Sequence, residues 1–252
     1  MSISGAWNIY RGSALAATAD GDLIIDDSAC PKPYARHTEG AEIQYAGIEG
    51  RPIRSNTFVA AVWAGVSHYF PVQIATYRPE RCFPLGKDDP AFRSKVQLAQ
   101  GLIGYIIQQG IPFRDVIFDS WYLGKGFLQY LHSRNLTWIS EAKATILVSY
   151  RGKWTHVNEL VNVIPPPKFD RTVVLPTCDG KDRTFSIASF DTRLSFAKGK
   201  VRCIVAVGKW GERDEHGVHV FLTNRLSVPP EEIVRRYTRR WRIEDVFKRA
   251  GG

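Results

Sequence analysis

Residues 91–141 decide the fold, and at their centre stands Asp115-Val116-Ile117-Phe118-Asp119, an apolar triplet closed at both ends by acid. A short apolar run of this kind suits a buried strand. Upstream, Ala91 to Gly110 carries Phe92, Val96, Ala99, Leu102, Ile103, Ile106 and Ile107 at helical spacing, and Gly110 with Pro112 ends the pattern. Downstream, Leu123 to Arg134 predicts a second helix that packs through Phe127, Leu128, Tyr130 and Leu131, followed by a strand from Leu136 to Glu141. With the strand that precedes it, this stretch reads β-α-β-α-β. That series implies an α/β protein with a mixed sheet flanked by helices.

Working outward, Asp22-Leu23-Ile24-Ile25-Asp26 reads as the first buried strand, and Ala6 to Ala19, with Gly12 inside it, as a short helix. Gly47 to Arg54 reads as a turn. Phe58 to Gly65 and Ser67 to Tyr77 then complete a three-strand meander. The texture changes after Ala144. Thr145 to Tyr150, Arg171 to Pro176, Thr184 to Ser189, Val201 to Val207 and Val218 to Thr223 are short β-prone pieces separated by turn residues. Helical pattern resumes at Pro229-Pro230-Glu231-Glu232, where proline and acids suit a first turn. The expected organisation is therefore the first part of a core at 1–144, a β-rich insertion at 145–226 and a closing helix at 227–252.

The 252 residues are 44% hydrophobic and carry a net charge of +9. The first figure supports a packed core; the second fits an anionic partner, with nucleic acid the commonest, and equally a surplus that serves only solubility. Cys30, Cys82, Cys178 and Cys203 are scattered without a C-x-x-C pair, which argues against a zinc ribbon or a disulfide scaffold and for reduced thiols. No signal peptide and no stretch of membrane-spanning length is evident, so a soluble cytoplasmic protein is expected.

The charge concentrates in the closing helix. Arg235, Arg236, Arg239, Arg240, Arg242, Lys248 and Arg249 stand in one stretch with Tyr237 and Glu244. Positions three, four and seven apart share a helix face, so Tyr237, Arg240 and Glu244 project together. A phenol and a guanidinium suit a phosphate, and a carboxylate suits a hard metal ion. Two further acids stand out by context: Asp27 after the first strand, beside Asp26, and Asp119 at the end of the central strand. Strand ends are where open α/β sheets place their sites. Each has a plainer explanation. Asp119 could cap the turn that follows it, and Glu244 could pair with Arg240 one turn earlier.

The three acidic blocks resemble the DDE transposases of bacterial insertion sequences, in the group marked by Tyr-x-x-Arg-x-x-x-Glu. The first block is Leu23-Ile24-Ile25-Asp26-Asp27-Ser28, the second Val116-Ile117-Phe118-Asp119-Ser120-Trp121-Tyr122, and the third Tyr237 to Glu244, which matches the signature at all three positions. The resemblance implies an RNase H-like fold with a β-rich insertion between the second Asp and the Glu. It implies that Asp27, Asp119 and Glu244 are catalytic and hold two Mg²⁺ ions, with Mn²⁺ as a substitute, and it selects Asp27 over Asp26 because the ligand directly precedes Thr or Ser. It further implies that Tyr237 and Arg240 grip a phosphate; Arg236, Arg239 and Lys248 of the same basic stretch are further candidate DNA contacts. A displaced base would stack on an aromatic of the insertion, with Trp154 and Trp210 as candidates. Such a protein cleaves and joins DNA at element ends, acts as a dimer on DNA and works at the bacterial nucleoid. The signature's usual Lys falls at Gly251 and only about twenty residues precede the first strand, so a catalytic core without its end-recognition region and tail is expected. Two other functions fit less of the pattern: a non-catalytic DNA-binding remnant, which needs only the basic surface, and a metal-dependent phosphohydrolase for small substrates.

Overall fold

A computed structural model of the chain describes residues 17–32, 34, 40–46, 50–176, 182–208, 217–241 and 243. The chain divides into two compact units, Met1–Arg114 with Arg242–Gly252, and Asp115–Trp241. Both combine strands with helices, and the α/β class expected from the sequence is the one found. The predicted helix from Ala6 to Ala19 falls almost wholly outside the described residues.

The first unit is built on strand β3 (Arg51–Ala64), which pairs antiparallel with β1 (Asp22–Pro31), β2 (Glu42–Ala46) and β4 (Tyr69–Tyr77). The expected meander is present, with β2 added and the strands longer than the apolar runs alone suggested. β2 runs beside Arg51 to Ser55, the polar start of β3, where backbone pairing rather than apolar patterning sets the strand. Helix α1 (Lys95–Gln108) packs on β3 and β4 through Ala99, Leu102, Ile103 and Ile106. It starts four residues later than its apolar pattern. Ser94 and Gln97 form a reciprocal capping box there, which satisfies two backbone donors and fixes the first turn.

Trp63 anchors this core. It is fully buried, stacks on Phe70 at 5.3 Å and donates its indole N–H to the Pro112 carbonyl at 3.0 Å. Gly21 and Gly65 lie against its ring; a Cβ at Gly21 would stand 2.0 Å from Trp63 Cζ2.

In the second unit the strand order is β5 (Val116–Phe118), β6 (Trp138–Glu141), β12 (Val218–Thr223), β11 (Val201–Val207), β10 (Asp182–Thr192) and β9 (Arg171–Pro176). β5 and β6 are parallel and the other neighbours antiparallel, so the sheet is mixed. Helix α2 (Lys125–Ser133) packs Phe127 edge-on against Phe118 at 5.0 Å. A separate hairpin joins β7 (Leu147–Tyr150) to β8 (Lys153–His156) through Arg151 and Gly152, both with positive φ, as a two-residue hairpin turn requires. A single turn, α3 (Leu160–Val163), follows, and α4 (Pro230–Tyr237) closes the unit against β9, β10 and β6. Beyond Tyr237 the chain tightens into a 3₁₀ turn at Thr238–Arg240.

Cys30, Cys82 and Cys203 are free thiols, and burial pushes the Cys203 thiol well above its usual range. No helix among the described residues is long and apolar enough to cross a membrane.

Candidate active site

In the first unit the candidate acids stand on β1. Side chains alternate faces along a strand, so Asp26 and Asp27 point apart. They are held differently. Asp26 Oδ1 accepts the backbone N–H of Asp27 at 2.9 Å. Asp27 Oδ2 accepts from Lys95 Nζ at 2.5 Å, and both side chains are about one-fifth exposed. Lys95 is the first residue of α1 and also lies 5.5 Å from the Tyr77 ring centroid. A cation in a helix's first turn opposes the helix dipole. The Asp27 carboxylate supplies the compensating charge. Burial pushes the Tyr77 phenol above its usual range, and the Glu80 carboxylate adds to the shift. Lys95 was not a candidate in the sequence; its position directly after the Ser94 cap, in a helix start without acid, was the signal available.

In the second unit Asp119 follows β5. Its Oδ1 accepts the backbone N–H of Trp121 at 2.9 Å, so the turn-capping role is present. The half-buried carboxylate nevertheless stands at the carboxyl end of a parallel strand. Phe118 is in register with Ser140, so Asp119 and Glu141 leave the two parallel strands at the same level. Glu141 was read only as the end of a strand. Its Oε1 lies 2.7 Å from His219 Nδ1, and its Oε2 accepts the Tyr237 hydroxyl at 3.4 Å. The register of β6 against β5 and β12, invisible in the sequence, brings these groups together.

The arginines of α4 diverge. Arg236 was expected at the DNA surface, and the structure corrects this. Its side chain is 2% exposed and its guanidinium pairs with the fully buried Asp115 at the start of β5. Asp115 also accepts Arg225 Nε at 2.8 Å. Arg236 faces inward because it falls beside Ile233 and Tyr237 on the packed side of the helix. Tyr237 is also buried. It packs on Phe221 at 5.0 Å, and the Arg240 guanidinium lies 5.8 Å from its ring centroid. The shared face of Tyr237 and Arg240 is therefore real, but the phenol is directed to Glu141. Arg239 and Arg240 are half-buried.

Trp154 on β8 is 55% exposed and borders a cavity of about 390 Å³ with Arg193, Lys198 and Lys200. The expected site residues Glu244, Lys248 and Trp210 lie outside the described residues. Among the described residues, no three His, Cys, Asp or Glu side chains gather to hold a metal ion.

A family model described as DDE superfamily endonuclease matches residues 6–153, a span that includes both Asp27 and Asp119. No curated protein matches the chain. Among solved structures, the NurA nuclease from Sulfolobus solfataricus is similar at 12% identity and a TM-score of 0.33, covering 94% of this chain and 82% of that one.

Proposed function

The chain belongs to the DDE superfamily endonucleases, and on that premise we propose that it is the catalytic core of an insertion-sequence transposase of the Tyr-x-x-Arg-x-x-x-Glu group, with an RNase H-like core. The observation that carries this is the family match across both Asp27 and Asp119. The third block, Tyr237 to Glu244, supports the finer assignment through its spacing. The proposed organisation is a core at 1–144, an insertion at 145–226 and a closing segment at 227–252. The protein would act in the bacterial cytoplasm at the nucleoid, as a homodimer on paired DNA ends.

Asp27, Asp119 and Glu244 would hold Mg²⁺, or Mn²⁺ in its place. Their carboxylate oxygens are the donors such hard cations take, and at Asp27 the metal would have to displace Lys95. The metal would supply activation of the attacking oxygen and stabilisation of the leaving one. In the cleavage step a water oxygen bonds to phosphorus, the P–O3′ bond breaks, and a 3′-OH and a 5′-phosphate result. In joining, the oxygen of that 3′-OH bonds to a target phosphorus, the target's own P–O3′ bond breaks, and the proton lost by the attacking hydroxyl is balanced by the one gained by the released target 3′-OH.

The chain's other groups position DNA. Arg239 and Arg240 would meet its phosphates, with Lys248 beyond them. Tyr237 supports Arg240 through its ring and would reach a phosphate only by giving up Glu141. Exposed Trp154, beside three cations, suits a displaced base, whose stacking contributes about 1–3 kcal/mol. Trp210 is the second candidate for that role.

Purified protein with Mn²⁺ and element-end DNA should produce nicks, and Asp27→Asn should not. Equal products from both proteins would end the catalytic reading.

The Lys95–Asp27 ion pair favours a second reading, a non-catalytic DNA-binding remnant, because the first acid is already neutralised from within the chain. DNA binding would then be independent of metal, steeply salt-sensitive and no weaker in Asp119→Asn.

A further inference from the structure

A second cavity of about 640 Å³ opens in the second unit, at the opposite end of the strands from Asp119 and Glu141. Trp138, the first residue of β6, lines it, whereas Glu141 is the last residue of that strand. Its floor is apolar, with Leu128 and Trp138 both buried and Phe196 half-buried. One wall is a face of α2. Lys125, Leu128, Gln129 and His132 fall at spacings of three, four and seven and all line the cavity. The other wall is the loop from Ser195 to Lys200, with Lys198 and Lys200 exposed.

The charge here is one-sided. None of the described residues lining the cavity is acidic, while Lys125, Lys198, Lys200 and His132 all border it. None of the three lysines enters an ion pair among the described residues. The walls are also fixed in place. Asn224 accepts the Trp138 N–H at 2.8 Å and donates to the Leu136 carbonyl at 3.1 Å. The root of the loop is tied to β7, where Leu194 bridges Val148 and Ser195 N–H meets the Leu147 carbonyl at 3.4 Å. Gly199, at φ +96, supplies the left-handed bend that turns the loop over the cavity.

We propose that this cavity is a binding site for a single nucleotide, separate from the strand-end acids. The ligand would place its planar base on the apolar floor near Trp138 and its phosphate among the lysines of the loop and α2. The volume lies within the roughly 300–1,000 Å³ usual for small-molecule sites. An apolar slot with several unpaired cations and one amide, Gln129, matches a ligand that is aromatic at one end and anionic at the other. The nucleotide could be free or carried on a DNA strand; the chemistry recognised is the same. The proposal stands on the second unit alone and does not depend on strand cleavage.

The test is a fluorescence titration with N-methylanthraniloyl-dAMP in EDTA, so that no catalytic metal is involved. Wild type should bind saturably, and unlabelled dAMP should displace the probe. Lys198→Glu with Lys200→Glu reverses the loop's charge at exposed positions, and Gln129→Trp fills the cavity without changing charge. Each should weaken binding at least 10-fold while circular dichroism stays unchanged. A short 5′-phosphorylated oligonucleotide that displaces the probe assigns the site to a strand-borne nucleotide; failure to displace it assigns the site to a free one. The proposal is overturned by absence of saturable probe binding, by wild-type affinity in Gln129→Trp, or by equal displacement with polyglutamate, which would mark a site for acidic protein segments.

Discussion

The closing segment from α4 to Arg240 and the loop from Ser195 to Lys200 both carry positive charge, yet part of the helix's charge is turned inward while the loop's stays at the surface. On α4 Arg235 is exposed but Arg236 is buried against Asp115, and in the 3₁₀ turn beyond it Arg240 lies over the Tyr237 ring. In the loop, Lys198 and Lys200 stand exposed beside two cavities and enter no ion pair among the described residues. Density of charge along a sequence therefore overstates what a polyanion can reach. A guanidinium on the packed side of a helix stabilises the fold, whereas a lysine on a glycine-turned loop remains available. The cations free to meet DNA in the second unit lie partly in the β-rich stretch, where the sequence drew attention to a tryptophan rather than to lysines.

The largest effect should come from breaking the inward half of this contrast. Asp115→Ala leaves the Arg236 guanidinium buried without its counter-charge, and Arg225 loses a 2.8 Å partner. Loss of one partner of a buried pair costs about 3–5 kcal/mol, readable as a lower midpoint in urea unfolding. Arg236→Met also removes one partner, but Asp115 keeps Arg225 at 2.8 Å, so a smaller loss is expected. A next, smaller effect is expected at Trp154. Trp154→Ala should weaken single-stranded DNA binding by about 1–3 kcal/mol in anisotropy titrations.

The comparison itself is tested by setting the loop against the helix. Lys198→Glu with Lys200→Glu should lower DNA affinity and flatten its dependence on salt, by a slope of about 0.7 to 0.9 for each phosphate that the loop no longer neutralises. Arg236→Met should leave the slope as it was. If Arg236→Met flattens it and the loop variant does not, the two regions have been assigned the wrong way round. The smallest effect concerns Lys95. Lys95→Met removes the cation that Asp27 meets, and Mn²⁺ should then bind about 2–5-fold more tightly by calorimetry. That range corresponds to the up to about 1 kcal/mol typical of a partly exposed ion pair.

Much of the architecture was legible because it depends on local pattern. The 3.6-residue spacing of Ala99, Leu102, Ile103 and Ile106 placed α1, and the apolar triplet Val116-Ile117-Phe118 placed β5. Five β-prone pieces after Ala144 correspond to β7, β9, β10, β11 and β12. β2 and β8 were missed because short strands with polar residues owe their existence to partners, Arg51 to Ser55 in one case and Leu147 to Tyr150 in the other. The site was less legible for the same reason. Asp27 and Asp119 could be singled out from their place after apolar runs. The lysine that meets Asp27 lies 68 residues away, and Glu141 acquires His219 and Tyr237 only through sheet register and helix packing. The fate of Arg236 likewise follows from a carboxylate 121 positions earlier, which no helical periodicity could reveal.

The central proposal is that Asp27 and Asp119 are each required for metal-dependent DNA cleavage. Its most direct test is the nicking of supercoiled plasmid in Mn²⁺ by wild type, Asp27→Asn and Asp119→Asn at equal concentration. The account predicts open-circle product from wild type and a loss of at least 100-fold in rate for each variant, the scale of a lost charge-stabilising group at a reacting centre. Nicking at the wild-type rate by both variants would contradict it.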